Sequence, residues 1–242
     1  MVGARVRWAA APAATLPRSD EETRVNQAIY SHTLDNGLVL LAEPMPGVES
    51  AAFTLRLPAG SVYDPDDRPG LGNFASELAL RGAGSRDNRQ FVDDLDNLGV
   101  ERGESVSDAH ASYSGATMAR NLEPALAIYA DLLRRPHLPE DELEASRQSA
   151  LHELSAVEDE PSQKVMLELR RRHYPDPWGR PSQGTLEALE SITVTEVREH
   201  FQRHYRPNGA IIGVAGKLEF ERVRDAVGKL FDDWQPMEIA PA

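Results

Sequence analysis

The sequence predicts an α+β domain: one twisted, largely antiparallel sheet of about five to six strands with helices packed on one face. Three observations carry that expectation. Asp35-Asn36-Gly37 stands between two short strand-like runs, the local signature of a hairpin. Stretches with apolar residues at i, i+3 and i+4, punctuated by Gly and Pro, read as amphipathic helices. Residues 100–108, 110–118 and 210–215 add further strand-like runs between those helices. With 242 residues, 40% of them hydrophobic, the chain suffices for one large domain or two small ones and can bury a substantial core.

The first 26 residues are expected to be a flexible tail. Arg5 and Arg7 precede Trp8 and an Ala/Pro run that Pro12 and Pro17 interrupt, without the apolar centre of a secretory signal. The cytoplasm is slightly favoured, and the Arg/Ala-rich leader leaves export or an organelle open. The folded domain is expected over 27–236. Tyr30 to Leu34 and Leu38 to Ala42 form the hairpin, and Ala51 to Leu57 a third strand ending at Pro58-Ala59-Gly60. Leu71, Phe74 and Leu78 then give a helix its buried face, with Gly82 and Gly84 as the stop. Ser85 to Leu98 is expected to be a second helix, with Phe91, Leu95 and Leu98 on one side and Gly99 after it.

Two strands follow, and then a helix from Asn121 to Arg135, with an Asn cap and Leu122, Leu126, Tyr129, Leu132 and Leu133 inward. Pro136 ends it, and Leu138-Pro139-Glu140 restarts a helix to about Glu158. Gln163 to Arg172 is a further helix, followed by a loop holding Pro175, Pro177, Trp178, Gly179 and Pro181. Thr185 to Ser191 and Thr195 to Tyr205 are short helices. Ala210 to Ala215 is a buried strand, Phe220 to Trp234 a closing helix, and 237–242 a linker or tail.

Charge and composition exclude several classes. The net charge of −13, from 39 acidic against 26 basic residues, argues against nucleic acid and against anionic membranes. No apolar run approaches the length of a membrane span. Without cysteine there are no disulfides and no thiol chemistry. There is neither a P-loop nor a dinucleotide-binding glycine fingerprint, and Ser114-Gly115 makes no nucleophile elbow.

Beside the buried face of the 71–79 helix, Asn73, Ser76 and Glu77 stand at i, i+3 and i+4 on one patch. The stretch from Ala59-Gly60-Ser61 through Gly70-Leu71-Gly72-Asn73-Phe74-Ala75-Ser76-Glu77 to Arg81-Gly82, with Asp94 to Gly99 after it, resembles the pitrilysin (M16) family of zinc peptidases. That resemblance implies an inverted zinc motif, H-x-x-E-H, at this point. Its two His bind zinc, its Glu activates water, and a Glu from a later helix completes the site. Carried onto this chain, the first His position is Asn73, the base position is Ser76 and the second His position is Glu77. The later Glu matches Glu153, 76 positions after Glu77. An Asn amide is a poor zinc ligand, and a Ser hydroxyl is no base near neutral pH without its own activator. Asn73, Glu77 and Glu153 form an oxygen-only set that suits hard cations, if any metal. The expectation is therefore the fold without its hydrolytic site: no catalytic residue, no metal and no cofactor.

The resemblance also marks Glu101 to Asp108 as the place where the family holds extended peptide, with Gly103, Glu104, Ser105, Val106 and Ser107 as the candidate edge strand. Peptide would add there by backbone hydrogen bonds, and Gly103 would allow close approach. Glu101, Arg102 and Glu104 equally suit an edge protected by charge, and both can hold together. His200 and His204, at i and i+4, lack the Glu after the first His that a zinc helix needs and are expected at the surface. His152-Glu153 lacks the second His, since Ala156 stands there. Arg170-Arg171-Arg172 is expected to be a solvated helix end.

The implied function is a non-catalytic M16-like domain. It would bind extended peptide or form one wall of a peptidase chamber with a catalytic partner. Two alternatives stand beside it: a zinc-dependent metalloendopeptidase with an atypical site, and a purely structural assembly subunit. The implied partners are a second M16-like half or catalytic subunit, or a homo-oligomer.

Overall fold

The turn that opens the fold also locks it. A computed structural model describes residues 27–237. The expected tail over 1–26 and most of the expected C-terminal linker lie outside them. The hairpin pairs β1 (Tyr30–Thr33) with β2 (Val39–Pro44). Gly37 takes the left-handed conformation that its turn requires (φ +90°). Asn36 is buried, and its amide donates to the carbonyls of Phe231 (2.7 Å) and Trp234 (3.1 Å) at the end of the last helix.

β3 (Ser50–Leu57), β6 (Glu101–Val106), β7 (Ala111–Met118) and β8 (Ile211–Gly216) complete one sheet in the order β1-β2-β8-β3-β7-β6. All neighbours are antiparallel except β2 and β8. The sheet is thus six-stranded and largely antiparallel, as expected, with β1 and β6 at its edges. Along β3 the side chains alternate. Ala51, Phe53, Leu55 and Leu57 are buried, while Ser50, Ala52 and Arg56 are exposed. The buried face meets a core that includes Phe74, Leu78, Leu126, Leu132 and Phe231, supplied by the helices.

The helices are α1 (Leu71–Ala79), α2 (Asn88–Asn97), α3 (Leu122–Arg134), α4 (Leu143–Glu158), α5 (Pro161–His173), α6 (Leu186–Ser191), α7 (Val194–His204) and α8 (Phe220–Phe231). Three expectations change. The second helix begins at Asn88, because residues from Gly82 first form a two-stranded ribbon of β4 (Gly82–Ala83) and β5 (Arg86–Asp87). Asp87 then caps α2 in a reciprocal capping box with Gln90. The helix expected from Leu138 begins at Leu143, and Leu138 itself has a positive φ of 45°. Asn121 flanks α3 but does not cap it with its side chain, which donates instead to the Leu98 carbonyl at 2.9 Å.

Candidate functional site

α1 is fixed at its start by Asp64. Gly70, with φ +92°, turns the chain into the helix. The buried Asp64 carboxylate accepts the Gly70 and Gly72 backbone N–H groups, each at 2.8 Å. Burial pushes its pKa up to about 7, against the pull of those two donors and of Arg180. The Arg180 guanidinium donates to the Asp64 carbonyl at 3.0 Å. No motif in the sequence marked Asp64, which acts from a loop across six residues.

This anchoring sets where Asn73, Ser76 and Glu77 point. Ser76 is buried, and its hydroxyl lies 2.9 Å from the Tyr113 phenol on β7. Tyr113 lies 2.8 Å from the Tyr205 phenol at the end of α7. Burial holds Tyr113 well above the usual phenol range and pushes Tyr205 up to about 12, so both are neutral partners. A neutral phenol does not activate a serine. Glu77 forms an ion pair with Arg81 one turn on, and its Oε2 is buried without a hydrogen-bond partner. Asn73 is half-buried beside them. α4 packs against α1, yet Glu153 is exposed on it.

β6 is the sheet edge next to this helix. The Ser107 N–H donates to the His110 carbonyl at 2.8 Å, which sets the parity of the β6–β7 ladder. By antiparallel alternation the backbone N–H and C=O groups of Arg102, Glu104 and Val106 turn away from β7. Gly103 and Ser105 turn theirs toward it. A Cβ at Gly103 would lie 2.9 Å from the Ser114 hydroxyl, so the close approach there is to β7. β6 ends at Val106, and in the turn after it the carbonyls of Ser107 (3.0 Å) and Asp108 (2.9 Å) accept from the Ser61 and Val62 N–H groups.

The family model for Insulinase (Peptidase family M16) matches residues 39–185, more than half of the chain. The chain belongs to peptidase family M16. An uncharacterized zinc protease of Rickettsia felis is 26% identical over 199 residues, covering 82% of this chain and 48% of that protein. A probable mitochondrial-processing peptidase subunit beta of Arabidopsis thaliana is 26% identical over 214 residues, covering 88% and 39%. The chain therefore spans about half the length, or less, of these M16 relatives. Among solved structures, a protease from Helicobacter pylori superposes with a TM-score of 0.81 at 19% identity, covering 89% of this chain and 52% of its own. A peptidase M16 inactive domain from Pseudomonas fluorescens superposes at 0.79 with 20% identity and the same coverage. These likenesses establish the M16 fold.

The M16 family metal is zinc, and the donors at the positions to which the sequence resemblance carries its ligands do not suit that ion. They are the Asn73 amide, the Glu77 carboxylate ion-paired to Arg81, and the exposed Glu153 carboxylate on α4. Among the described residues no group of three or more His, Cys, Asp or Glu side chains is arranged to hold a metal ion.

One expectation about α7 is overturned. His200 and His204 are buried, not at the surface. Their rings lie 4.6 Å apart, and the ring of His204 lies 5.1 Å from that of Tyr63. Nε2 of His200 and Nδ1 of His204 have no hydrogen-bond partner. Burial lowers His200 to about 3, with His204 and Arg203 adding repulsion, and lowers His204 to about 4, with Arg203 adding to it. A Cβ on Gly72 of α1 would lie 3.4 Å from His200 Nε2 and 3.1 Å from Asp64 Oδ1, so the pair packs behind the start of the site helix.

Proposed function

We propose that this chain is a non-catalytic M16 domain that holds extended peptide along β6 and forms one wall of a chamber completed by a second M16-like half. Ser76 carries the first part. The residue at that position of an M16 peptidase must take a proton from the attacking water, and Ser76 is buried against a neutral phenol. The donors beside it do not suit zinc. The Pseudomonas fluorescens neighbour, described as an inactive domain, is a precedent for the fold without the chemistry. Peptide holding is supported by the three outward pairs of backbone groups at Arg102, Glu104 and Val106. A second half is supported by the length of the relatives.

The test is the anisotropy of a labelled, unstructured peptide titrated with the purified chain. Glu104→Pro removes an outward N–H and leaves the β6–β7 ladder in place. Binding is expected to survive Glu104→Ala and to be lost in Glu104→Pro. Equal binding by both variants would overturn peptide addition at this edge, and chelator-sensitive cleavage by the purified chain would overturn the absence of catalysis.

A further inference from the structure

The sheet has two edges, and their side chains differ. β6 carries Glu101, Arg102 and Glu104, charges of the kind that discourage unplanned pairing. β1 reads Tyr30-Ser31-His32-Thr33, without Lys, Arg, Asp, Glu or Pro. All four residues are exposed, and Ile29 just before them is 64% exposed. The hairpin fixes which backbone groups stay open. The Leu34 N–H donates to the Leu38 carbonyl at 2.9 Å, so in the same ladder His32↔Leu40 and Tyr30↔Ala42 are the hydrogen-bonded pairs. Ser31 and Thr33, and Ile29 by the same alternation, therefore turn their N–H and C=O groups outward. No strand among the described residues pairs with that side. Tyr30 stacks on Phe220 of α8, with ring centroids 5.0 Å apart, which braces the edge from the helix side.

We infer that β1 is the contact through which two copies of this chain associate, the two β1 strands running antiparallel across a two-fold axis at Ser31. The inference does not depend on peptide holding at β6. A two-fold contact must be self-complementary. Two identical strand edges meet that condition when their outward groups are evenly spaced about the axis, as Ile29, Ser31 and Thr33 are about Ser31. In that register Ser31 faces Ser31 and Thr33 faces Ile29 of the second copy, each pair exchanging backbone hydrogen bonds. Tyr30 then stands opposite His32, an aromatic cross-strand pair on the helix side. Asp35, the first charge after the strand, falls opposite Gln27, so no like charges meet along the ladder. That matters for two chains that each carry −13. Closing the two-fold uses up both β1 edges, and the charged β6 edges left outside oppose further growth.

Sedimentation of the purified full chain from about 1 µM to about 1 mM is expected to show a monomer–dimer equilibrium, weak because the contact is smaller than a standard interface. Added salt should strengthen it by screening the charge of each copy. Ser31→Pro removes an outward N–H and leaves the β1–β2 ladder in place, and Ser31→Lys sets two like charges face to face. Both variants should be monomeric, whereas Ser31→Ala should still dimerise. The protein has no cysteine of its own, so single cysteines report the register. Ser31→Cys chains should cross-link under mild oxidation, since facing residues lie about 5.5 Å apart at Cα. Thr33→Cys chains should not, their Cα atoms being about 14 Å apart at the rise of a strand. A wild type that stays monomeric throughout, or a dimer that survives both Ser31→Pro and Ser31→Lys, overturns the inference. So does equal cross-linking of the two cysteine variants, at any level. Dimers that form only once residues 1–26 are removed would assign the edge to the chain's own leader and overturn it as well.

Discussion

His200 and His204 couple the packing of α7 to pH. Their folded-state values, about 3 and about 4, lie below the ordinary 6.5. Above pH 6.5 neither the folded nor the unfolded chain protonates them, and their contribution to stability is complete. As pH falls below 6.5 the unfolded chain takes up protons that the folded chain refuses, so stability is lost down to about pH 4 for His204 and about pH 3 for His200. Asp64, near the same backbone and raised to about 7, acts with the opposite sign, favouring the fold toward acid. Replacing one imidazole separates the two effects. In urea titrations at pH 7 and pH 5, His200→Leu should lose less stability than the wild type between the two, by at most about 2 kcal/mol. Equal losses would show that His200 is not shielded. The sequence displayed the stripe that buries this pair. His200 and His204 follow Val197 and Phe201 by three positions each, the offset that joins one helical face. Ranking histidine as polar draws the stripe too narrow. Ser76 was equally easy to place on α1, but its partner Tyr113 lies 37 positions away, beyond the reach of local spacing.

At the scale of elements, the 3-10 turn over Ser61–Tyr63 is tied to the turn that follows β6, and Gly60 makes that possible. A Cβ at Gly60 would lie 2.2 Å from the Asp108 carbonyl oxygen and 2.4 Å from the His110 nitrogen, so the two backbones would have to part. Gly60→Ala should cost about 3 kcal/mol, as overpacking of a rigid contact does, and should speed hydrogen exchange at Ser61 and Val62. Unchanged stability and exchange would mean that the turn does not depend on this approach. Elements whose rules are local were legible before the structure: the Asp35-Asn36-Gly37 hairpin, α1 with its glycine stop, and the strands β6 and β7. The β4–β5 ribbon was not, because its strands are two residues each and Gly84-Ser85 also suits the start of a helix. Neither was the parallel pairing of β2 with β8, since no turn connects them and strand order is decided by packing.

For the molecule as a whole, the donor types carried to the ligand positions decide the expectation about metal. With no imidazole at the positions to which the resemblance carries the zinc ligands, and with Glu77 held by Arg81, the chain is expected to fold independently of metal. Purified protein should carry less than stoichiometric zinc, and its thermal midpoint should stay within about 1 °C on adding excess chelator, whereas release of a structural ion would lower it by several degrees. A marked drop would return the metal to the fold. The sheet order carries a different consequence. β8, made from residues 211–216, lies between β2 and β3, which are synthesised more than 150 residues earlier. Until it arrives, each of those strands keeps one raw side, rich in Leu and Ala. A ribosome must therefore deliver almost the entire domain before the centre of the sheet can close. A nascent chain paused before Ile211 is the form that most needs a chaperone.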